Sequence, residues 1–249
     1  RTAWLLDCKE YILFRLTGKV ATDYHGASVY FLFDPHKKAW SREACERLGI
    51  PMDRLPPALP CTQVMGEVTP EAALRTGLAA GTPVVICAGA VAVAQTGSGA
   101  NGVGKAHLSV GTATWVGVST DVFRNDPVKP FWGLNHIHPD RWIIAGEMET
   151  GGGALMWFRD AFCQEEARQA KAQGLSTYQL LSQMVESVEP GSDRLIFAPW
   201  LSGERAPVLD HYARGAWIGL NLGHTKAHLA RSIMEGVAYH LRWIGEEIE

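Results

Sequence analysis

The sequence lacks three features that would each point to a particular class of protein. Its apolar runs are shorter than the roughly 18 residues that a bilayer-spanning helix needs. Its 23 basic and 26 acidic residues give a formal net charge of -3, which excludes the basic surface typical of proteins that bind nucleic acid or anionic membranes. The amino terminus does not show the basic and then apolar order of a signal peptide. We therefore expect small molecules as partners, and neither nucleic acid nor a membrane.

Cysteine pairs are also missing. The five cysteines are odd in number, widely scattered and without Cys-x-x-Cys spacing: Cys8, Cys45, Cys61, Cys87 and Cys163. This pattern argues against both a disulfide framework and a zinc site. We expect a reducing, cytoplasmic compartment.

What the sequence does contain is the balance of a globular protein. A chain of 249 residues, 47% hydrophobic and 20% charged, is long enough for one large or two modest domains. Glycines that follow helical patterns predict short helices ending at Gly18, Gly49 and Gly77. Thr22 and Asp23 precede a further short segment, and Asp23 is either its cap or a catalytic carboxylate.

The predicted organisation is centred on the stretch from residue 83 to residue 118. Pro83 to Gly89 is apolar and bounded by Gly and Pro, which predicts a buried strand that Ala90 closes. The small residues 90–96 are compatible with a helix, and the glycines at 97–102 indicate a domain boundary. After it the sequence predicts strands at 106–111, 115–120 and 142–146, helices at 150–162 and 175–188, a strand at 194–199 and a helix from 225 to the end. This order is typical of an α/β layer fold with a mixed sheet.

Two glycine clusters suggest anion binding. The backbone N–H groups of a Gly111 to Thr114 turn between two strands can form an anion-binding concavity, with Thr hydroxyls as further donors. The alternative is a hairpin turn without a ligand. Gly151 to Gly153 opens a helix whose free N–H groups suit an anion or nucleotide, although close helix packing requires glycine just as much.

Two polar clusters remain open to more than one interpretation. His136 and His138 would lie on one face of a strand at a spacing that metals use, but the nearest third ligand, Asp140, falls in a turn, so we assign no metal-binding residue. Glu204 and Arg205 follow a strand end, where ligands often bind in α/β sheets, or they simply pair with neighbours.

Taken together, these residues resemble the FGGY family of carbohydrate kinases. The most specific match is GAWIGL at 215–220, followed after seven residues by HLARSIME at 228–235, which fits the family's second signature pattern. Further similar strings are Leu-Thr-Gly at 16–18, Thr22-Asp23 with Ala27-Ser28, Gly-Ile-Pro at 49–51, Gly111-Thr112, Trp-Phe-Arg at 157–159 and Gly-Glu-Arg-x-Pro at 203–207. The likeness covers essentially the whole chain in family order.

The resemblance implies an actin-like ATPase (ribonuclease H-like) fold with parts of two domains. Family members are roughly twice as long, so this chain is expected to correspond to their middle: the rear of the sugar-side domain at 1–98 and the front of the ATP-side domain at 99–249. The resemblance further implies that Gly111, Thr112 and Thr114 bind the ATP phosphates and that Gly152 and Met156 lie along the nucleotide. Glycerol kinases have Gln where this chain has Met156, so a polar contact to the nucleotide is not expected there.

The largest departure from the family is Ala90. In the family the corresponding strand ends in Gly-Asp, and that aspartate accepts the proton of the sugar hydroxyl as it attacks the γ-phosphate of Mg-ATP. A methyl group accepts no proton, and residues 87–100 contain no carboxylate to replace it. Loss of a general base typically costs about 10² to 10⁴ in rate, so we predict negligible activity for this chain.

The resemblance therefore predicts an ATP- and Mg²⁺-dependent kinase of a sugar or polyol, closest in character to xylulokinase-like members. The alternative is a non-catalytic relative that binds a sugar, a nucleotide or a partner subunit, with a homodimer among the options. An actin-like structural module fits less well, because the 215–235 match is specific to the kinases.

Overall fold

A computed structural model of the chain describes residues 2–126 and 128–249. These residues form two compact units. Of the described residues, the first unit comprises 2–107, 118–123 and 133–144, and the second comprises 108–117, 124–126, 128–132 and 145–249. The boundary expected after residue 98 stays a prediction.

Helices begin and end largely where capping chemistry predicts. The α-helices are α1 (Cys8–Thr17), α2 (Tyr24–Val29), α3 (Arg42–Leu48), α4 (Pro70–Thr76), α5 (Ala90–Gly97), α6 (Gly152–Phe162), α7 (Gln164–Gln173), α8 (Thr177–Glu186) and α9 (Lys226–Ile248). Short 3-10 turns lie at Met52–Arg54 and Ser192–Arg194. Gly18, Gly49 and Gly77 follow α1, α3 and α4 with φ between 66° and 77°. All three predicted helix ends are confirmed, because this left-handed conformation is nearly free of cost only for glycine.

The strands are more numerous than the sequence suggested. They are β1 (Thr22–Asp23), β2 (Phe33–Asp34), β3 (Ala39–Trp40), β4 (Ala58–Leu59), β5 (Val64–Glu67), β6 (Pro83–Val85), β7 (Ala106–Val110), β8 (Thr114–Thr120), β9 (Trp132–Asn135), β10 (Trp142–Met148), β11 (Ile196–Ala198) and β12 (Ala216–Ile218). One sheet has four strands in the order β7-β8-β10-β9. The three strands predicted at 106–111, 115–120 and 142–146 are therefore neighbours, while β9 was missed.

The remaining strands form pairs. In the first unit β1 and β4 are parallel, whereas β2 with β3 and β5 with β6 are antiparallel. In the second unit β11 and β12 are antiparallel, with Phe197 opposite Trp217.

The prediction of a buried strand at Pro83 to Gly89 is wrong. The strand β6 ends at Val85, and both Pro83 and Val85 are exposed. Only Ile86 and Ala88 of this apolar run are buried. The apolar run suggested a strand in the centre of a sheet, with neighbours covering it. The strand β6 instead belongs to a two-stranded sheet, so its alternate side chains remain exposed.

The core of the second unit lies beneath α9. Buried side chains of α6, α8, β11 and α9 pack together there, among them Phe158, Leu181, Phe197 and Ile233. The buried side chains of α9 follow a spacing of three to four residues and so lie on one helix face, among them Ala230, Ile233, Val237 and Ile244. Fully burying one such side chain stabilises the fold by about 1.5 to 3 kcal/mol.

Candidate functional site

Ala90 is the first residue of α5, and Gly89 is its amino-terminal cap. The helix has no side-chain cap, and Ala90 is exposed. Its methyl group provides no hydrogen-bond acceptor. The predicted helix at 90–96 is confirmed, and position 90 lies at its amino-terminal end rather than at the end of a strand.

The imidazole of His25 packs directly on Gly89. A Cβ atom added to Gly89 would lie 2.7 Å from His25 Cδ2 and 3.1 Å from His25 Nε2, so the ring occupies the space that any side chain at 89 would need. His25 is 2% exposed, and its Nδ1 lies 2.9 Å from the carbonyl oxygen of Asn135. The sequence analysis did not identify His25, and only the proximity in space to Gly89 reveals it.

Asp23 caps α2, as one of its two predicted roles requires. Its carboxylate accepts hydrogen bonds from the backbone N–H groups of His25, at 3.0 Å, and Gly26, at 3.2 Å. Lys9 Nζ lies 3.1 Å from Asp23 and 2.8 Å from Glu10. Burial lowers the pKa of Lys9, but the hydrogen bond to Glu10 and the charges of Asp23 and Glu10 outweigh it and raise the pKa overall. Lys9 therefore stays charged and neutralises two buried carboxylates.

A cavity of about 160 Å³ adjoins this cluster. Its lining is Asp23, Tyr24, His25, Pro60, Cys61, Thr62, His136, Ile137 and Pro139. The walls are mainly rings and alkyl groups, and the two imidazoles lie among them.

His136 and His138 do not share the face of a strand, so that prediction is wrong. The strand β9 ends at Asn135, and both histidines lie in the following loop. The backbone N–H of His138 donates to His136 Nδ1 at 2.8 Å, which closes a tight turn. His136 is buried and His138 is exposed. Within residues 2–126 and 128–249, no group of three or more His, Cys, Asp or Glu side chains is placed to hold a metal ion.

In the second unit the Gly111 to Thr114 turn joins β7 and β8. Gly111 and Thr112 are exposed, whereas Thr114 is fully buried with its hydroxyl 3.5 Å from the Gly111 carbonyl oxygen. The Gly111 N–H donates to the Ala113 carbonyl at 3.1 Å. In the described part of the chain no partner accepts from the N–H groups of Thr112 and Ala113. The turn therefore offers two backbone donors, while the Thr112 hydroxyl donates to Met156 Sδ at 3.9 Å. Thr114 supports the turn from below.

The N–H groups of Gly151 to Gly153 are not free, contrary to the anion-binding interpretation of this helix start. Gly151 and Gly153 each donate to the Thr112 carbonyl at 3.0 Å, and Gly152 donates to the Gly111 carbonyl at 2.8 Å. A Cβ on Gly152 would lie 2.6 Å from Gly111 O, and one on Gly151 would overlap the Thr114 side chain. The glycines thus allow α6 to pack closely against the turn, which is the second of the two predicted alternatives. Met156, one turn into α6, is partly exposed.

The loop at 203–207 is fastened by its own neighbours. Arg205 forms ion pairs with Glu147, at 2.8 Å, and with Glu149. Glu204 is buried, and its carboxylate accepts from the N–H groups of Glu149 and Arg205. Burial raises the pKa of Glu204 to about 7. Glu204 and Arg205 therefore pair with neighbouring residues, as the second of their two predicted roles requires.

None of the helices in the described ranges is long and apolar enough to cross a membrane. All five cysteines are free thiols.

Comparison with known proteins places this arrangement in a family. Residues 2–97 match the amino-terminal domain, and residues 106–249 the carboxy-terminal domain, of the FGGY family of carbohydrate kinases. The chain is 33% identical over 238 residues to a gluconokinase of Bacillus subtilis, covering 95% of this chain and 46% of that protein. It is 31% identical over 245 residues to a xylulose kinase of the same organism, covering 97% and 46% respectively.

The fold comparison agrees. The crystal structure of a ligand-bound xylulose kinase from Lactobacillus acidophilus superposes with a TM-score of 0.83 at 28% identity, covering 96% of this chain and 47% of that one. The predicted actin-like α/β fold is thereby confirmed. The chain spans about half the length of the curated relatives it matches. Since the carboxy-terminal domain model alone matches more than half of the chain and the amino-terminal one precedes it in order, the chain belongs to the FGGY family of carbohydrate kinases.

Proposed function

We propose that this chain is the central part of a kinase that transfers the γ-phosphate of ATP to a hydroxyl group of a sugar or polyol. The observation that carries the proposal is the match of both kinase domain models, in order, along residues 2–97 and 106–249. Relatives named gluconokinase and xylulose kinase each align with at least 95% of the chain, which supports a polyhydroxylated acceptor. The boundary between the sugar side and the ATP side lies near residue 98 in this proposal.

The ATP phosphates meet the turn at Gly111 and Thr112. Its exposed position and its two unpaired backbone donors support this role, because N–H groups that point outward from a turn attract phosphate oxygens. Thr114 acts from beneath the turn by holding its shape. Gly152 acts by letting α6 approach, and Met156 offers the nucleotide an apolar contact.

Mg²⁺ would neutralise charge on the transferred phosphoryl group in such a kinase. We assign no residue of this chain to the ion. What the chain itself supplies are neutral backbone donors at residues 112 and 113, which suit phosphate oxygens rather than a cation.

Proton removal is the step that this chain lacks. Ala90 stands where the family's aspartate accepts the proton of the attacking hydroxyl, and its methyl group cannot do so. We therefore expect the chain to turn over negligibly as it stands. General-base loss accounts for about 10² to 10⁴ in rate, and the hydroxyl must then lose its proton to water.

The decisive experiment replaces Ala90 by aspartate. ATP consumption is measured with glycerol, D-xylulose and D-gluconate for the chain and for Ala90→Asp, both alone and within the longest reading frame that contains them. We expect Ala90→Asp to raise turnover of one acceptor by about 10² to 10⁴. Ala90→Asn is the matched control, since it adds a similar side chain without a base. Turnover at ordinary kinase rates by the unmodified chain would refute the assignment of Ala90.

A non-catalytic binding protein is the second candidate, and the methyl group at position 90 is what favours it. In that case Ala90→Asp gives no turnover, while sugar or ATP still binds, as calorimetry would measure.

A further inference from the structure

Two of the five free cysteines are neighbours in the first unit, although they are well separated in the chain. The backbone N–H of Cys87 donates to the carbonyl oxygen of Cys61 at 2.9 Å, and that of Ile86 donates to the carbonyl oxygen of Gln63 at 3.1 Å. Both bonds extend the antiparallel pairing of β5 and β6. Residues that are hydrogen-bonded across antiparallel strands have Cα atoms about 5.5 Å apart, and disulfides bridge Cα separations of about 4.4 to 6.8 Å. The two cysteines therefore have the spacing that a disulfide requires.

Cys61 is the buried member of the pair. It is 9% exposed, and its Sγ lies 3.9 Å from the carbonyl oxygen of Ile137. Burial, followed by the negative charges of Asp23 and of a Cys87 thiolate, raises the pKa of the Cys61 thiol. An influence of the Cys87 charge on Cys61 requires a short separation, because the energy between two charges falls with distance. Cys61 is thus a protonated thiol held close to Cys87.

Cys87 has the complementary properties. It is exposed, so a small solute reaches its sulfur atom. Its φ of 63° lies in the left-handed region, where glycine is unstrained and a residue with a Cβ atom is uncommon. The chain therefore keeps a thiol at a position where the backbone conformation favours glycine. Strained residues of this kind cluster where a side chain has a function.

The other three cysteines lack this arrangement. Cys45 and Cys163 each lie in a different buried cluster. Cys8, at the start of α1, is exposed like Cys87. Exposure alone therefore does not distinguish Cys87 from Cys8. What distinguishes Cys87 is its backbone hydrogen bond to a second cysteine.

We propose that Cys61 and Cys87 are a redox pair, present as two thiols at rest and joined by a reversible disulfide when a hydroperoxide oxidises Cys87. A resting state of two thiols agrees with the five free cysteines of the structure. Disulfides of proteins in reducing compartments are typically transient and either catalytic or redox-sensing, so the pair needs no oxidising compartment. The inference concerns a modification of the chain and does not depend on the proposed function.

The oxidation has two steps. The Cys87 thiolate attacks an oxygen atom of the hydroperoxide, so an S–O bond forms, the O–O bond breaks, and an alcohol or water leaves with the proton that Cys87 has lost. The Cys61 sulfur then attacks the Cys87 sulfur, so an S–S bond forms, the S–O bond breaks, and the hydroxyl group leaves as water with the Cys61 proton. The two sulfur atoms together lose two electrons, which the two peroxide oxygen atoms gain. A thiol reductant reverses the reaction.

The position of the pair relates it to the start of α5. Cys61 lines the same cavity as His25, and His25 packs on Gly89, two residues after Cys87. A disulfide would fasten the segment that leads to Ala90 to the wall of this cavity. The oxidised pair therefore limits the movement of that segment.

The test exposes the full chain, first reduced with dithiothreitol and then freed of it, to hydrogen peroxide at high dilution. Thiols are counted with a chromogenic disulfide reagent after unfolding in guanidinium chloride, and proteolytic peptides are mapped by mass spectrometry without reduction. We expect the count to fall by two from five. One peptide pair should be joined through Cys61 and Cys87 with a mass loss of two hydrogen atoms, and dithiothreitol should restore both thiols.

Two variants separate the pair from general reactivity. Cys8→Ser is the matched control, because it removes the other exposed thiol and leaves the pair intact, so its count should also fall by two. In Cys61→Ser no partner remains, and Cys87 should stop at the sulfenic acid, which dimedone labels. Peptide mapping of the unmodified chain requires neither variant, so the result stands even where Cys61→Ser does not fold.

The outcomes are distinct. A disulfide between Cys61 and Cys87 within one chain supports the inference. Five thiols after treatment, a bond from either cysteine to another cysteine or to a second chain, or a sulfenic acid at Cys87 beside an unchanged Cys61 would each overturn it. Turnover by Ala90→Asp is measured on the reduced chain, so failure of the redox pair and failure of the proposed function are distinguishable.

Discussion

Replacement of Gly152 by alanine tests whether close packing of α6 shapes the phosphate turn. A Cβ atom at position 152 would lie 2.6 Å from the Gly111 carbonyl oxygen, whereas ordinary contacts begin near 3.4 Å. The obstacle is backbone, which cannot rotate away as the end of a flexible side chain would. The helix start and the turn must therefore separate by about 0.8 Å.

That separation disrupts the hydrogen bond between the two elements. The Gly152 N–H to Gly111 O distance is 2.8 Å, and the displacement takes it past the roughly 3.2 Å limit of a good hydrogen bond. Overpacking costs about 1 to 3 kcal/mol and the weakened hydrogen bond about 1 kcal/mol. The greater helix propensity of alanine returns up to about 1 kcal/mol. We expect Gly152→Ala to lower the free energy of unfolding by about 1 to 3 kcal/mol.

Urea unfolding followed by circular dichroism measures this loss, and calorimetry with ATP measures the consequence for the turn. Gly245→Ala is the control, because Gly245 lies within α9 and a Cβ there would contact nothing within 4 Å. It should raise stability by about 0.5 to 1 kcal/mol. If Gly152→Ala were as stable as Gly245→Ala, the packing argument for the glycine cluster would be refuted.

Two further substitutions test buried charges. The pKa of Glu204 is raised to about 7, so the folded state keeps a proton that the unfolded chain loses above about pH 4.5. The free energy of unfolding should therefore fall by about 1 to 3 kcal/mol between pH 4.5 and 7. The urea midpoint of Glu204→Gln should lack this pH-dependent fall. Equal pH dependence in both proteins would contradict the assignment. Lys9→Met leaves the buried carboxylates of Glu10 and Asp23 without their counter-charge and should cost about 2 to 4 kcal/mol by urea unfolding. Lys37→Met breaks only the exposed pair with Asp34 and should cost at most about 1 kcal/mol. Similar losses in the two Met variants would show that the pair at Lys9 is effectively solvated.

Helix ends could be predicted from the sequence because the chemistry that sets them is local. Ser41 accepts the N–H of Ala44 at the start of α3, and Thr69 accepts that of Ala72 at the start of α4. Each such cap depends on a residue two or three positions away, so the pattern is legible in one stretch of sequence.

Elements without an apolar pattern were missed. The helix α7 has the sequence QEEARQAKAQ and buries only Ala170, so no apolar stripe marks it. The strands β9 and β12 have four and three residues, too few for periodicity to distinguish them from loop. The apolar run at 83–89 led to the opposite error, because it predicted a buried strand where the strand is short and exposed. Hydrophobicity alone does not show how many neighbours a strand has.

The candidate site likewise has a part that the sequence indicated and a part that only the structure shows. The Gly111-Thr112 turn and the glycines at 151–153 were identified from composition, yet the partners of the glycine N–H groups depend on which elements meet in space. His25 and Asn135 lie 110 residues apart in the chain. His25 falls within the 22–28 string that resembles the family, but that string does not identify Asn135 as its partner. Nothing in one sequence indicates that such residues meet, so the cavity could be found only from the structure.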